Sequence, residues 1–171
     1  MRLFHVSEDP NVAVFHPRLP RRAELDPDVG LVWSLTEPSL PNWLFPRDCP
    51  RVGFRLCEQT TGADRERFFT SAEHVVAIEH DWHTRQAAHT LYVYEFDPAN
   101  FYYDDVASFY ISQRSETPID MVAYTDLYAE LFRRGAEVRL VDNLWPLRDA
   151  VFGSSLTAWS FCKMANAKAR N

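Results

Sequence analysis

The sequence predicts an α+β fold in a single globular domain spanning residues 1–171, with a mixed or mostly antiparallel sheet, whole or split, and several short helices. Three observations carry this expectation. Short apolar or alternating runs, closed by Pro, Gly, Asp or Asn, recur along the chain and outnumber the helical windows. No internal repeat, low-complexity tract or linker divides the chain into modules. A length of 171 residues, 46% hydrophobic and 14% aromatic, is enough to bury one core without disulfide or metal staples.

Residues 2–6 read as a short strand, followed by a polar turn at 7–10 and a second apolar patch at 12–15. Pro17, Pro20 and Pro27 among arginines and acids make residues 17–30 an exposed loop, because proline removes backbone donors. Residues 31–35 form a continuous apolar strand, and 37–45, interrupted by Pro41, a short helix or pair of turns. Two prolines stiffen the connection Pro46-Arg47-Asp48-Cys49-Pro50-Arg51, and residues 52–56 then alternate as a half-buried strand. Residues 60–62 turn the chain and 64–69 make a helical turn. Residues 74–79 are a strand, and 81–89 a short helix capped around His80 or Asp81.

In residues 90–96, Tyr92, Tyr94 and Phe96 alternate onto one aromatic strand face. Residues 101–112 are aromatic and end in another strand, and 118–124 are extended. The clearest helix is 126–134: Thr125 as N-cap, Leu127, Leu131 and Phe132 on one face, arginines in the last turn and Gly135 as the stop. Residues 137–141 form a strand, 146–152 a helix with Pro146 in its first turn, and 157–164 a last strand.

Composition narrows the function. A formal net charge of -6 argues against general nucleic-acid binding, which needs a concentrated cationic surface. Only Lys163 and Lys168 are lysines, so most positive charge is guanidinium, suited to two-point contact with phosphate or carboxylate. Cys49, Cys57 and Cys162 have neither disulfide-framework nor zinc spacing, and reduced thiols are the expectation. No charged-then-apolar leader opens the chain and no apolar run approaches the ~20 residues that cross a bilayer, so a cytoplasmic address with no membrane association is expected. Five isolated glycines supply neither a Rossmann nor a Walker loop, and no Gly-x-Ser-x-Gly elbow is present.

Three constellations remain. His74, His80, His83 and His89 lie close in sequence, with His80 and His83 three apart on a helix, which would suit a metal-dependent hydrolase; without a His-Glu-x-x-His pattern, solvated histidines are the commoner outcome. Cys49 stands between Arg47 and Arg51, whose charge favours a nucleophilic thiolate, against the ordinary fate of a buried structural thiol. The third is a pocket at strand ends. His5 and Ser7 share a face of the first strand, Trp33-Ser34 end the second, and Tyr110 and Ser112 end a later one; together they would line an aromatic cleft with a few polar groups. The alternative is that Trp33 and Tyr110 are core residues and His5 a satisfied polar one.

The blocks Leu3-Phe4-His5-Val6-Ser7-Glu8, Leu31-Val32-Trp33, Pro46 to Arg51, His74-Val75-Val76-Ala77-Ile78-Glu79 and Leu144-Trp145-Pro146-Leu147-Arg148-Asp149 resemble a bacterial family of proteins of unknown function, over nearly the whole chain. The N-terminal half is also similar to ADP-ribosyltransferase-like domains, which place a His at the end of the first strand, an aromatic residue on the second and an acid on a later one. That resemblance implies His5 bonding to ribose and Trp33 stacking in place of the usual tyrosine. The later acid would fall at residues 110–112, with Glu116 a few residues beyond.

The leading functional expectation is a small-molecule ligand, a nucleotide or NAD-like molecule, with NAD as candidate cofactor. His5 and Ser7 would contact ribose, Trp33 or Tyr110 would stack on a ring, and Arg18, Arg47 or Arg148 would hold phosphates. A different class is a non-catalytic interaction domain engaging a partner through the loop at 17–30 and the aromatic surface at 101–110.

Overall fold

The computed structural model describes residues 1–170. In chain order the strands are β1 (Leu3–Ser7), β2 (Val32–Thr36), β3 (Arg51–Arg55), β4 (His74–Glu79), β5 (Leu91–Phe96), β6 (Tyr102–Asp104), β7 (Phe109–Ser112), β8 (Asp120–Tyr124), β9 (Ala136–Val141) and β10 (Trp159–Cys162). The α-helices are α1 (Gly62–Phe68), α2 (His83–Ala88), α3 (Leu127–Arg133) and α4 (Trp145–Phe152). The fold class is α+β, as the sequence pattern implies. The chain divides into two compact units, each built from two separated stretches: unit 1 from Met1–Trp43 and Thr90–Tyr124, unit 2 from Leu44–His89 and the chain from Thr125 onward.

Unit 1 is an antiparallel sheet in the order β6-β7-β2-β1-β5-β8. β1 is central because Leu3 and Phe4 are both buried and each side has a strand to pair with. The connection from β1 to β2 is the Pro-rich stretch, and it makes only isolated bridges, Phe15 with Glu116 and Arg18 with Leu31. Residues 12–15 therefore form no strand, contributing one apolar ring and one bridge. Gly30 lets the base of this loop close, since a Cβ there would meet the Cβ of Pro17 at 3.0 Å.

Unit 2 is a mixed sheet, β10-β3-β4-β9, in which β4 and β9 run parallel. A parallel pair needs a crossover, and α3 precedes β9 as part of it. Val52 and Phe54 of β3 and Val75 and Ala77 of β4 pack with Phe68, Leu144, Val151 and Leu156 into one apolar cluster.

Two helix starts differ from the sequence expectation. The N-cap of α3 is Asp126, whose carboxylate accepts the Ala129 N–H at 2.9 Å, so Thr125 lies one residue outside. Gly135, at φ 71°, closes that helix as expected. Neither His80 nor Asp81 caps α2 with a side chain; a 3₁₀ turn over His80–Trp82 feeds directly into it. Among the described residues no helix is long and apolar enough to cross a membrane.

Candidate functional site

Directly paired residues on neighbouring strands project to the same face, so register decides which side chains meet. Leu3 pairs with Thr36 and Phe96, His5 with Tyr94, Ser7 with Tyr92, Ser34 with Tyr110 and Val32 with Ser112. By alternation, His5, Ser7, Ser34, Tyr110 and Ser112 all lie on one face of the unit 1 sheet. Trp33 does not join them. It pairs with Ile111, on the opposite face, and its indole packs edge-on against Phe109 at 5.5 Å. The expected cleft of imidazole, indole and hydroxyl is thus corrected: Trp33 and Ser34 are adjacent on one strand, and adjacent strand residues face opposite ways.

The connection after β1 folds back over the His5 face. The Tyr94 hydroxyl donates to the Asp9 carbonyl at 2.8 Å and accepts the Val12 N–H at 3.1 Å. Phe15 then packs on the face, 4.8 Å from the His5 ring and 5.1 Å from both Tyr94 and Phe96. Phe15 and Glu116 exchange backbone hydrogen bonds at 2.8 and 2.9 Å, a pairing that sends both side chains toward the same side.

His5 sits where the β1–β2 ladder stops. Pairing is recorded only for Leu3 with Thr36 and Phe4 with Leu35, and the next bond to β2 comes from the side chain: His5 Nδ1–H donates to the Trp33 carbonyl at 2.8 Å. A ring nitrogen facing a carbonyl must carry the proton, so in the neutral ring Nε2 is the basic atom. Trp33 thus meets His5 through its backbone oxygen and not through its indole.

The hydroxyls are committed to protein partners. Ser7 accepts the Asp9 N–H at 3.1 Å, Ser34 donates to the Tyr110 carbonyl at 3.0 Å, and Ser112 donates to Glu116 Oε1 at 2.5 Å while accepting the Arg114 N–H at 3.1 Å. The Tyr110 ring packs at a tilt against Tyr103, 5.4 Å between centroids, and against the cluster of Leu3, Val32 and Phe96.

Glu116 is the residue the sequence reading passed over as displaced. It is only 6% exposed, and its carboxylate takes the Ser112 hydroxyl and, at 3.4 Å, the Asn100 amide. No ion pair to Glu116 is found among the described residues. The four-residue spacing from Ser112, with a turn between, was the available signal: a strand that ends and doubles back returns its fourth residue over its own end.

The arginines do not gather at this face. Arg18 is an exposed loop residue of unit 1, bridged to Leu31 by its backbone. Arg47 and Arg148 belong to unit 2, where Arg148 pairs with Asp149 at 3.0 Å and lies over the Phe152 and Phe161 rings. The histidines do not gather either. Among the described residues no group of three or more His, Cys, Asp or Glu can share a metal ion, and His83 instead meets the Tyr128 hydroxyl at 2.9 Å.

Cys49 is corrected as a nucleophile. It has no exposure, and burial pushes its thiol up to about 12 despite the neighbouring Arg51 and Arg85. Cys57, not singled out from sequence, has the opposite surroundings. Burial raises its thiol, but the Thr157 and Thr60 hydroxyls, 3.4 and 3.2 Å away, and the Thr157 and Ala158 backbone together lower it to about 6.

The fold and this face define an α+β protein of two separate sheets, with polar groups buried under a folded-back connection on one of them. The chain belongs to a family of unknown function, DUF6886, whose model matches residues 4–167. No curated protein and no solved structure matches it, so the likeness to ADP-ribosyltransferase-like domains gains no support from relatives.

Proposed function

We propose that the His5 face of unit 1 binds a small, donor-rich molecule of the nucleoside or NAD-like class. The observation that carries this is Glu116: a buried carboxylate whose side-chain partners are one hydroxyl and one amide, on the side of the sheet that presents His5. A buried carboxylate without a cation beside it costs stability unless its hydrogen bonds offset the burial. A ribose diol offers two hydroxyl donors to such a carboxylate. His5 offers an imidazole on the same face, and Tyr110 an aromatic surface. Arg18 is the guanidinium within the same unit for a phosphate, and Arg47 and Arg148 fall outside the proposal. Three unpaired cysteines suit a reducing, cytoplasmic setting. We also take the two units as one domain, since neither is a continuous stretch of chain.

Calorimetry and thermal shift with NAD, ADP-ribose and adenosine nucleotides test the proposal. Binding is expected, weakened about tenfold or more by Glu116→Gln and by His5→Ala, equal to about 1.4 kcal/mol. Circular dichroism must show both variants folded. No heat and no melting shift at millimolar ligand, or unchanged affinity in both variants, overturns it.

A further inference from the structure

β8 is an edge strand of the unit 1 sheet, covered by a side chain at its start, where the Asp120 carboxylate accepts the Met121 N–H at 2.8 Å. Four of its five residues are exposed, with Met121 at 38% and Val122 at 45%, and Ile119 just before it at 64%. These apolar side chains occur on both faces, because Val122 pairs with Val93 and Met121 with Tyr94. An edge strand also carries a row of backbone N–H and C=O groups pointing away from its one neighbour. Proteins usually blunt such edges with charge, proline or brevity. Two other edges show this: the opposite edge, β6, has three residues, and β9, an edge of the other sheet, carries Glu137 and Arg139, whereas the four-residue edge β10 relies on brevity alone. β8 has Asp120 alone, at its first position.

The sequence of β8 is self-complementary. Antiparallel pairing of two copies about Val122 places Val122 opposite Val122, Met121 opposite Ala123, and Asp120 opposite Tyr124. No like charges meet. The two Asp120 carboxylates would stand four residue steps apart, about 14 Å, which exceeds the ~8 Å screening length at physiological salt. The apolar side chains on each face would meet their own kind across the two-fold axis, as an isologous interface requires.

We propose that β8 pairs with β8 of a second copy of this chain, joining two six-stranded sheets into one continuous antiparallel sheet. This stands apart from the ligand reading, since that reading invokes none of the residues of β8.

Analytical ultracentrifugation across protein concentrations, from about 1 to 100 μM to span micromolar affinities, reads the oligomer directly. A concentration-dependent dimer is expected, and Val122→Lys, which sets two ammonium groups opposite each other at the axis, returns it to monomer. A second variant fixes the register without relying on V122K folding well. In a background of C57S and C162S, Val122→Cys should form a disulfide-linked dimer on mild oxidation, whereas Met121→Cys, facing Ala123 of the other copy, should not. A monomer at every concentration, a dimer untouched by V122K, or cross-linking through position 121 and not 122 each overturns the proposal.

Discussion

Three glutamates are buried in this molecule, and their surroundings separate the two units. In unit 2, Glu79 accepts backbone N–H groups, from Leu144 at 3.3 Å and from Lys168 at 3.1 Å, so it closes the start of α4 and ties down the C-terminal stretch. Glu130, also in unit 2, sits between Arg133 and Arg134 at 2.6 and 2.8 Å, and those guanidinium groups hold its carboxyl below the usual range. Glu116, in unit 1, has neither a helix start to cap nor a cation beside it. The first two carboxylates are explained by the fold they stabilise. The third is explained only in part that way, because its side chain takes two hydrogen bonds from neutral donors, one of them long at 3.4 Å, and, among the described residues, no guanidinium or backbone N–H.

The same contrast runs through the sheet faces. The inner face of the unit 2 sheet is apolar, whereas the His5 face of unit 1 buries Ser7, Ser34, Ser112 and Glu116 among its aromatics. The largest expected effect follows from the apolar side. Phe54→Ala removes a fully buried ring from the center of the unit 2 cluster and should cost about 3–5 kcal/mol in chemical denaturation. A loss near 1 kcal/mol would mean the cluster is not where stability resides.

Next in size is a difference of sign between two glutamates. Glu130→Gln leaves Arg134, whose side chain is 10% exposed, without its carboxylate, and should destabilise by roughly 3 kcal/mol. Glu116→Gln keeps the shape and removes a charge that has no cation, so stability should stay level or rise. Equal losses in the two variants would show that Glu116 is held as firmly as Glu130 and would remove the case for a ligand at its face.

A third test uses pH. Burial, with Arg55 nearby, lowers the His74 imidazole from 6.5 to about 4, so the fold holds it neutral. The unfolded chain takes up a proton below about 6.5, and stability is therefore present above that pH and lost as pH falls toward 4. The loss should be on the order of 2–3 kcal/mol. Urea titrations should show a smaller loss of stability between pH 6.5 and 4 in His74→Gln than in wild type, and an unchanged acid limb in the variant would assign the loss to other groups.

Most strands could be read from sequence because their apolar alternation survives in register: β1, β4, β5 and β9 lie within a residue or so of where residues 2–6, 74–79, 90–96 and 137–141 place them. What could not be read is what register itself decides. That Trp33 and Ser34 cannot both face His5 follows from adjacency on one strand, but that Ser34, Tyr110 and Ser112 share the face of His5 while Trp33 does not depends on which strands pair and in what alignment. The fate of Cys49 and Cys57 was likewise hidden, since the charges flanking Cys49 in sequence matter less than its complete burial, and the hydroxyl of Thr157 reaches Cys57 across 100 residues.

The smallest expected effect is the most discriminating for the His5 face. Ser34 has no exposure, and its hydroxyl donates to the Tyr110 carbonyl across the β2–β7 pair. The hydroxyl is one bond in a strand pair that the backbone ladder already holds together. Ser34→Ala should therefore cost no more than about 1 kcal/mol, visible as a small shift in the denaturation midpoint. If the buried hydroxyls were the packing solution of this face, removing one would cost as much as truncating a core aliphatic side chain, about 2–5 kcal/mol. A large loss in S34A would make the polar face a structural device like the caps of unit 2, and a small one leaves the fold without need of that hydroxyl, as the proposed ligand requires.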